Sequence, residues 1–139
     1  MIKRLHHIAI VVPDIEQALT FWQEALGLTV EQQKEVPEQQ VQVAFLPVRE
    51  SEVEVIKPIS DTSGVAKYLA KRGPGVHHLC FEVDNIEITL AQLKAKGIRL
   101  IDEAARTSAE GHKYAFVHPE STQGVLVELY ELTDRPKMA

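Results

Sequence analysis

Two segments of the chain are near copies of each other, and each begins with a pair of histidines. The first segment is LHHIAIVVPDIEQAL, from Leu5, and the second is VHHLCFEVDNIEITL, from Val76. With His7 aligned to His78, an offset of 71 residues, the matching pairs include His6/His77, Val12/Val83, Ile15/Ile86, Glu16/Glu87 and Leu19/Leu90. Such a repeat predicts a duplicated fold, in which equivalent side chains face each other around a pseudo-twofold axis.

The hydrophobic pattern predicts the same βαβββ order of elements in both halves. In the first half a strand over 5–12 stops at Pro13, and Asp14 caps a helix over 15–26 that Gly27 ends. The remaining predicted elements are strands 30–33, 41–47 and 52–56 in the first half, then helix 86–96 and strands 98–101, 113–118 and 125–131 in the second. The predicted fold class is therefore α+β.

This pattern also predicts the organisation of the chain, which we expect to be a single domain over 1–139. The first module covers 1–58, a connector helix and turn cover 59–75, the second module covers 76–132, and a flexible tail covers 133–139.

Composition excludes several classes of protein. The formal net charge is −5, which argues against nucleic-acid binding. No apolar run is long enough to cross a membrane, so we expect no membrane partner. Cys80 is the single cysteine, which rules out an internal disulfide and favours a reducing compartment; the expected localisation is cytoplasmic.

Strand parity selects one histidine of each pair, because neighbouring residues on a strand point to opposite faces. His6 shares its face with the bulky Ile8, Ile10 and Val12, which should pack against the helix, so His7 points to the other face. The same test selects His78, and on the last strand of each half it selects Glu54 and Glu128.

Two imidazoles and two carboxylates on one surface predict a divalent-metal site, with the ligands His7, Glu54, His78 and Glu128. A single strand histidine is more often a packed or hydrogen-bonded residue than a ligand. The symmetry favours a site, because a glutamate in an apolar run such as Val125–Leu129 is costly to bury without a cation. We expect cobalt or manganese first, with nickel or zinc as alternatives.

The stretches LHHIAIVVPDIEQALTFW, GVHHLCFEV and FVHPESTQGVLVEL resemble the vicinal oxygen chelate (glyoxalase) superfamily and, within it, the methylmalonyl-CoA epimerase family. The resemblance covers residues 4–131. It implies tandem βαβββ modules that form a curved mixed sheet around a metal site. It also places His7, Glu54, His78 and Glu128 on the family's metal-ligand positions.

The resemblance implies an isomerase that epimerises (2R)- and (2S)-methylmalonyl-CoA, an acyl-CoA substrate of propionate metabolism, through a metal-stabilised enediolate. It nominates Glu128 as one catalytic base. Val43 stands where some members of the family have a carboxylate, so we expect Glu54 to be the opposing base. Because members of the family usually form homodimers, the resemblance also implies a homodimer. Two alternatives stay open: a glyoxalase I-type lactoylglutathione lyase, and a metal-free small-molecule binding module on the same fold.

Overall fold

The computed structural model describes residues 1–133. The predicted tail therefore lies outside the described residues, except for Thr133. The strands of the described residues are β1 Ile2–Val11, β2 Gln32–Val36, β3 Val41–Val48, β4 Ser51–Pro58, β5 Gly75–Val83, β6 Arg106–Thr107, β7 Lys113–Val117 and β8 Val127–Glu131. Its α-helices are α1 Ile15–Leu19, α2 Gly64–Arg72 and α3 Ile86–Ala95.

The chain divides into two compact units, one formed by His6–His78 and the other by Met1–Leu5 together with the chain from Leu79 onward. Within the His6–His78 unit, strands follow the order β2-β3-β4-β1. Strand β1 pairs with β4 in parallel, and the remaining pairs are antiparallel. Within the other unit the order is β6-β7-β8-β5, again with one parallel pair, β5 with β8. The predicted α+β fold with two βαβββ modules and mixed strand pairing is confirmed.

Each unit has its own helix-packed core, and the two cores are built from equivalent residues. One consists of Val12, Ile15, Leu19, Ala44, Leu46 and Val55; the other consists of Val83, Ile86, Leu90, Ala115, Val117 and Leu129. Five of the six pairs in these two lists are separated by the same 71 residues that separate the two sequence repeats. The duplication therefore extends from the sequence pattern to the packing of the interior.

The helix predicted over 15–26 is an α-helix only as far as Leu19. From Thr20 to Ala25 it continues as a π-helix, in which the amide of Leu26 donates to the carbonyl of Phe21, five residues earlier. Asp14 caps the start as predicted, by accepting a hydrogen bond from the amide of Gln17.

The strand predicted over 98–101 is wrong. Only Leu100 forms a bridge, with Val117. The amide of Arg99 donates to the hydroxyl of Ser121, and the amides of Ile101 and Asp102 both donate to the carbonyl of Phe116. The amide of Phe116 in turn donates to the carboxylate of Asp102. Because side chains take the amides that would extend the bridge, no ladder forms here, and a ladder with β7 forms only at β6.

The buried carboxylate of Glu82 is held by two cations near the chain start. Its oxygens lie 2.5 Å from Nε of Arg4 and 3.4 Å from Nζ of Lys3. Burial alone would raise the pKa of Glu82, but the hydrogen bond and charge of Arg4, with those of Lys3, hold this pKa below its usual value.

We expect Arg4→Met to lower the free energy of unfolding at about pH 7 by about 2 kcal/mol, because it leaves a buried carboxylate without its closest partner. Since the folded-state pKa of Glu82 lies below its unfolded value, this stability is present above the unfolded pKa and is lost as the pH falls through the folded one. Urea unfolding at neutral and acidic pH measures both effects. Lys3→Met, which changes the longer and more exposed pair, is the matched control and should cost less; equal losses would contradict the assignment.

Candidate functional site

The predicted histidines His7 and His78 meet in the structure. Both are buried, each with 5% of its surface exposed. Nε2 of His7 lies 3.2 Å from Nε2 of His78, and the two ring centroids are 5.3 Å apart. Strand β1 carries the first histidine and strand β5 the second, at equivalent positions of the two sequence repeats. The two Nε2 atoms therefore face a common point.

Glu54 lies on the strand next to His7. In the parallel pairing of β1 with β4 it is opposite Ala9, and its Oε2 lies 3.0 Å from Nδ1 of His7. This is the ring nitrogen opposite the one that faces His78. The carboxylate is mostly buried, with 13% of the side chain exposed. Glu54 is thus placed beside the histidine by register, as strand parity predicted, and its contacting oxygen lies on the far side of the imidazole.

The other histidine of each pair contacts the selected one. Nδ1 of His6 lies 2.7 Å from Nδ1 of His7, and Nδ1 of His77 lies 2.8 Å from Nδ1 of His78. Around His7, ligand atoms of four residues lie within 4.8 Å of one another: His6, His7, Glu52 and Glu54. Parity predicted that His6 would pack toward the helix, but its ring nitrogen turns to its neighbour instead.

The face of β1 that carries His7 is covered beyond the histidine. Ala9 and Val11 follow His7 on that face and are fully buried. They pack with Val43 under Val65 and Tyr68, which belong to α2. Val43 is 2% exposed. The third-strand position is therefore part of an apolar cluster, which agrees with the absence of a carboxylate there.

Glu128 lies on β8 and is 2% exposed. Its neighbour across the parallel pairing is Cys80, and its neighbour across the antiparallel pairing is Phe116. The flanking residue Leu129 points to the other face and belongs to the core under α3. The alternation along β8 therefore separates a carboxylate face from an apolar face, as parity predicted. Cys80 is itself fully buried.

Tyr130 is a neighbour of Glu128 that sequence reasoning missed. It follows Glu128 by two residues on the same strand, and burial raises the pKa of its phenol above the usual value, against a hydrogen bond with Ser108; the charge of Glu128 raises it further. The phenol therefore stays neutral beside the carboxylate. The signal was available in the sequence, because residues two apart on a strand share a face.

A turn before β7 contacts the ring of Tyr130. His112 lies against it with 5.5 Å between ring centroids, and the backbone amides of Gly111 and His112 are bonded back to Ser108. Thr133 fixes the turn from outside: its amide donates to Nδ1 of His112 and its hydroxyl donates to the carbonyl of Gly111. The turn is thus held on both sides, which limits the motion of Ser108 and His112.

The geometry of the histidines suits a divalent ion. Two imidazole nitrogens bound to one metal at about 2.1 Å lie roughly 3.0 Å apart at a right angle and roughly 3.4 Å apart at the tetrahedral angle. The 3.2 Å between Nε2 of His7 and Nε2 of His78 lies between these values. Imidazole and carboxylate donors together suit cobalt, manganese, nickel and zinc. The two histidines therefore fit a divalent ion, and its identity stays a prediction.

Comparisons of the sequence with protein families and with individual proteins agree with one another. Residues 6–116 match the model of the Glyoxalase/Bleomycin resistance protein/Dioxygenase superfamily. The mitochondrial methylmalonyl-CoA epimerase of Bos taurus is 40% identical over 127 residues, which are 91% of this chain and 73% of the bovine protein. The ethylmalonyl-CoA/methylmalonyl-CoA epimerase of Cereibacter sphaeroides is 34% identical over 95% of this chain and 100% of its own length.

A solved structure of a methylmalonyl-CoA epimerase in complex with methylmalonyl-CoA and NH4+ has a TM-score of 0.87 and 30% sequence identity to this chain. The match covers 94% of this chain and 95% of that one. No helix within residues 1–133 is both long and apolar enough to span a bilayer. Sequence and structure comparisons thus agree on the same group of proteins.

Proposed function

Because this chain belongs to the methylmalonyl-CoA epimerase family of the glyoxalase superfamily, we propose that it interconverts (2R)- and (2S)-methylmalonyl-CoA. The observation that carries this proposal is the pair of buried histidines whose Nε2 atoms lie 3.2 Å apart, at equivalent positions of two repeats. The bovine relative and the substrate complex support the acyl-CoA substrate. The reaction moves one proton off carbon 2 and returns one to the opposite face, with no net change in composition.

We propose His7, Glu54, His78 and Glu128 as the residues that hold a divalent ion. The histidines would bind through Nε2. Glu54 contacts His7 at Nδ1 in this structure, so its part in binding falls to its other oxygen or to a turn of the carboxylate. Support for Glu128 comes from register: it is opposite Cys80, which follows His78 by two residues on β5 and so shares its parity. When bound, the ion supplies Lewis-acid stabilisation of the negative charge that develops on the thioester oxygen.

Two carboxylates are proposed to move the protons. Glu128 starts ionised and takes the proton from one face of carbon 2, while Glu54 starts protonated and gives its proton to the other face; the reverse reaction starts from the opposite protonation states. Each carboxylate is mostly or fully buried, which raises the strength of its interactions with a developing charge. Tyr130 lies beside Glu128 as a neutral hydrogen-bonding group. The proposal therefore gives each half of the chain one base and one histidine ligand.

The decisive experiment follows deuterium from heavy water into carbon 2 of methylmalonyl-CoA. We expect exchange in protein as purified with its metal, and loss of at least ~10²-fold after removal of metal by a chelator, because proton transfer without charge stabilisation is slow. Adding cobalt or manganese should restore the rate more fully than magnesium. Metal content by emission spectroscopy gives the control. Exchange that is unaffected by complete metal removal would contradict the metal-dependent mechanism.

The same assay separates the alternatives. Turnover of a glutathione hemithioacetal without exchange into methylmalonyl-CoA would indicate a lactoylglutathione lyase, and ligand binding insensitive to chelator would indicate a binding module. The choice of cobalt or manganese over nickel or zinc stays a prediction, as do the homodimer and the cytoplasmic location. The bovine relative is named as a mitochondrial protein.

A further inference from the structure

Both double histidines show the same contact within the pair. The Nδ1–Nδ1 distance is 2.7 Å between His6 and His7, and 2.8 Å between His77 and His78. The angles between ring planes are 77° and 79°. Neighbours on a strand normally point to opposite faces, so the contact requires both rings to turn toward one edge of the strand. Its occurrence in both repeats indicates a role that the duplication has kept in each half.

The chemistry of an imidazole pair gives this contact a direction. A neutral imidazole carries its hydrogen on one nitrogen only, so one ring of each pair donates and the other accepts. A histidine that binds a metal through Nε2 carries its hydrogen on Nδ1 and donates it to a neighbouring acceptor. His7 and His78 turn Nε2 toward each other, so an ion that both rings bind through Nε2 leaves Nδ1 of each as the donor. The accepting nitrogens are then Nδ1 of His6 and Nδ1 of His77.

We propose that His6 and His77 are positioning residues: each accepts the Nδ1 hydrogen of the following histidine, and so fixes the ring orientation and the tautomer that present a bare Nε2. The inference rests on the proposed function, since it assigns the residues that orient the two histidine ligands. It explains why each repeat begins with two histidines, although only one of each pair is selected by parity.

His77 is in turn fixed by the connector helix. The ring of Tyr68, on α2, meets the ring of His77 with 4.7 Å between centroids. The hydroxyl of Tyr68 donates to the carbonyl of Val76 at 2.9 Å, and the guanidinium of Arg72 lies 5.1 Å from the centroid of the Tyr68 ring. Because Tyr68 is itself fixed by Val76 and Arg72, the packing of α2 sets the position of the ring that His77 contacts, and through His77 it influences the orientation of His78. The connector thereby contributes to the site without contributing a ligand.

His77 gives the sharper test of the two, because Glu54 also lies near Nδ1 of His7 and can replace His6 as acceptor. The matched variants are H77F, which keeps a ring against Tyr68 but has no acceptor, and H77N, which keeps an acceptor at the position of Nδ1 but has no ring. We expect H77F to weaken Co²⁺ binding about 10–100-fold. H77N should stay within about threefold of the unchanged protein.

The second measurement is made on metal-free protein with ¹⁵N-labelled histidine. Long-range ¹H–¹⁵N spectra should show a larger fraction of the Nδ1–H tautomer of His78 in the unchanged protein and in H77N than in H77F. Similar thermal unfolding of both variants controls for the fold; if H77F does not fold, H77L takes its place. A role confined to packing against Tyr68 would weaken metal binding more in H77N, which loses the ring, than in H77F, which keeps it, and that result would overturn the proposal.

Failure of the proposed function gives a different pattern of results. If the unchanged protein binds no divalent ion, the metal mechanism fails, while the tautomer of His78 in H77F still decides the role of His77. If H77F and H77N both abolish Co²⁺ binding, His77 is itself a ligand and the positioning role is wrong. Unchanged affinity together with an unchanged tautomer also contradicts it.

Discussion

Replacing Glu128 with glutamine is expected to lower the rate of deuterium exchange into methylmalonyl-CoA by about 10³-fold. Glutamine keeps the size of the side chain and an oxygen that can bind a metal, but it cannot take up a proton at neutral pH. The position is 2% exposed, so bulk water is a poor substitute for the lost base. The loss should appear in kcat, with a smaller change in KM, because the carboxylate acts on the reacting carbon.

The control for this variant is Glu87→Gln, which changes an exposed carboxylate paired with Lys113. That substitution should leave exchange within about twofold of the unchanged protein, in the range of ordinary surface changes. Metal content measured on both variants separates loss of the base from loss of the ion. If Glu128→Gln retained full exchange with normal metal content, another residue would be the base.

Replacing Glu54 with glutamine should also have a large effect, but on the inversion of carbon 2 more than on deuterium exchange. We expect metal to remain bound and the rate of epimerisation to fall by about 10²–10⁴-fold. If Glu128 alone serves one face of carbon 2, it can still remove a proton and return a deuteron to that same face. One epimer should therefore exchange with retention of configuration, and the epimer ratio should hardly change.

Exchange and epimer ratio must be followed in the same sample, starting from each pure epimer. Retained exchange of one epimer without inversion identifies Glu54 as the base for the opposite face. Val43→Glu in the Glu54→Gln background tests where the second base must lie. This variant restores inversion only if a carboxylate on β3, the strand next to β4, can contact carbon 2. Full epimerisation by Glu54→Gln alone would rule the assignment out.

Much of this fold could be predicted, because duplication makes each half a check on the other. The alternation along β1 and β8 assigned the apolar face correctly, and Val12, Val55 and Leu129 are in the helix-packed cores. The parity that puts Glu54 on the strand next to His7 comes from the same period of two. The alternation of side chains between the two faces of a strand is a local property, which does not depend on the strand with which it pairs.

Other features depend on contacts between distant parts of the chain and could not be predicted from local pattern. The ring of His6 turns to His7 because of a hydrogen bond, against the parity that placed it with Ile8. The burial of Ala9 depends on where the connector helix packs. The strand expected over 98–101 fails because Ser121, 22 residues beyond Arg99, takes an amide that a ladder would need.

The π-helical turn at Thr20–Ala25 has a consequence for the history of the two halves. The helix starts, Ile15 and Ile86, are 71 residues apart, whereas the left-handed glycines that end the helices, Gly27 and Gly97, are 70 apart. The first copy therefore carries one extra amino acid, and a single widened turn absorbs it. Such a bulge lets two copies that differ by one residue keep the same fold, since the strands on either side keep their alignment.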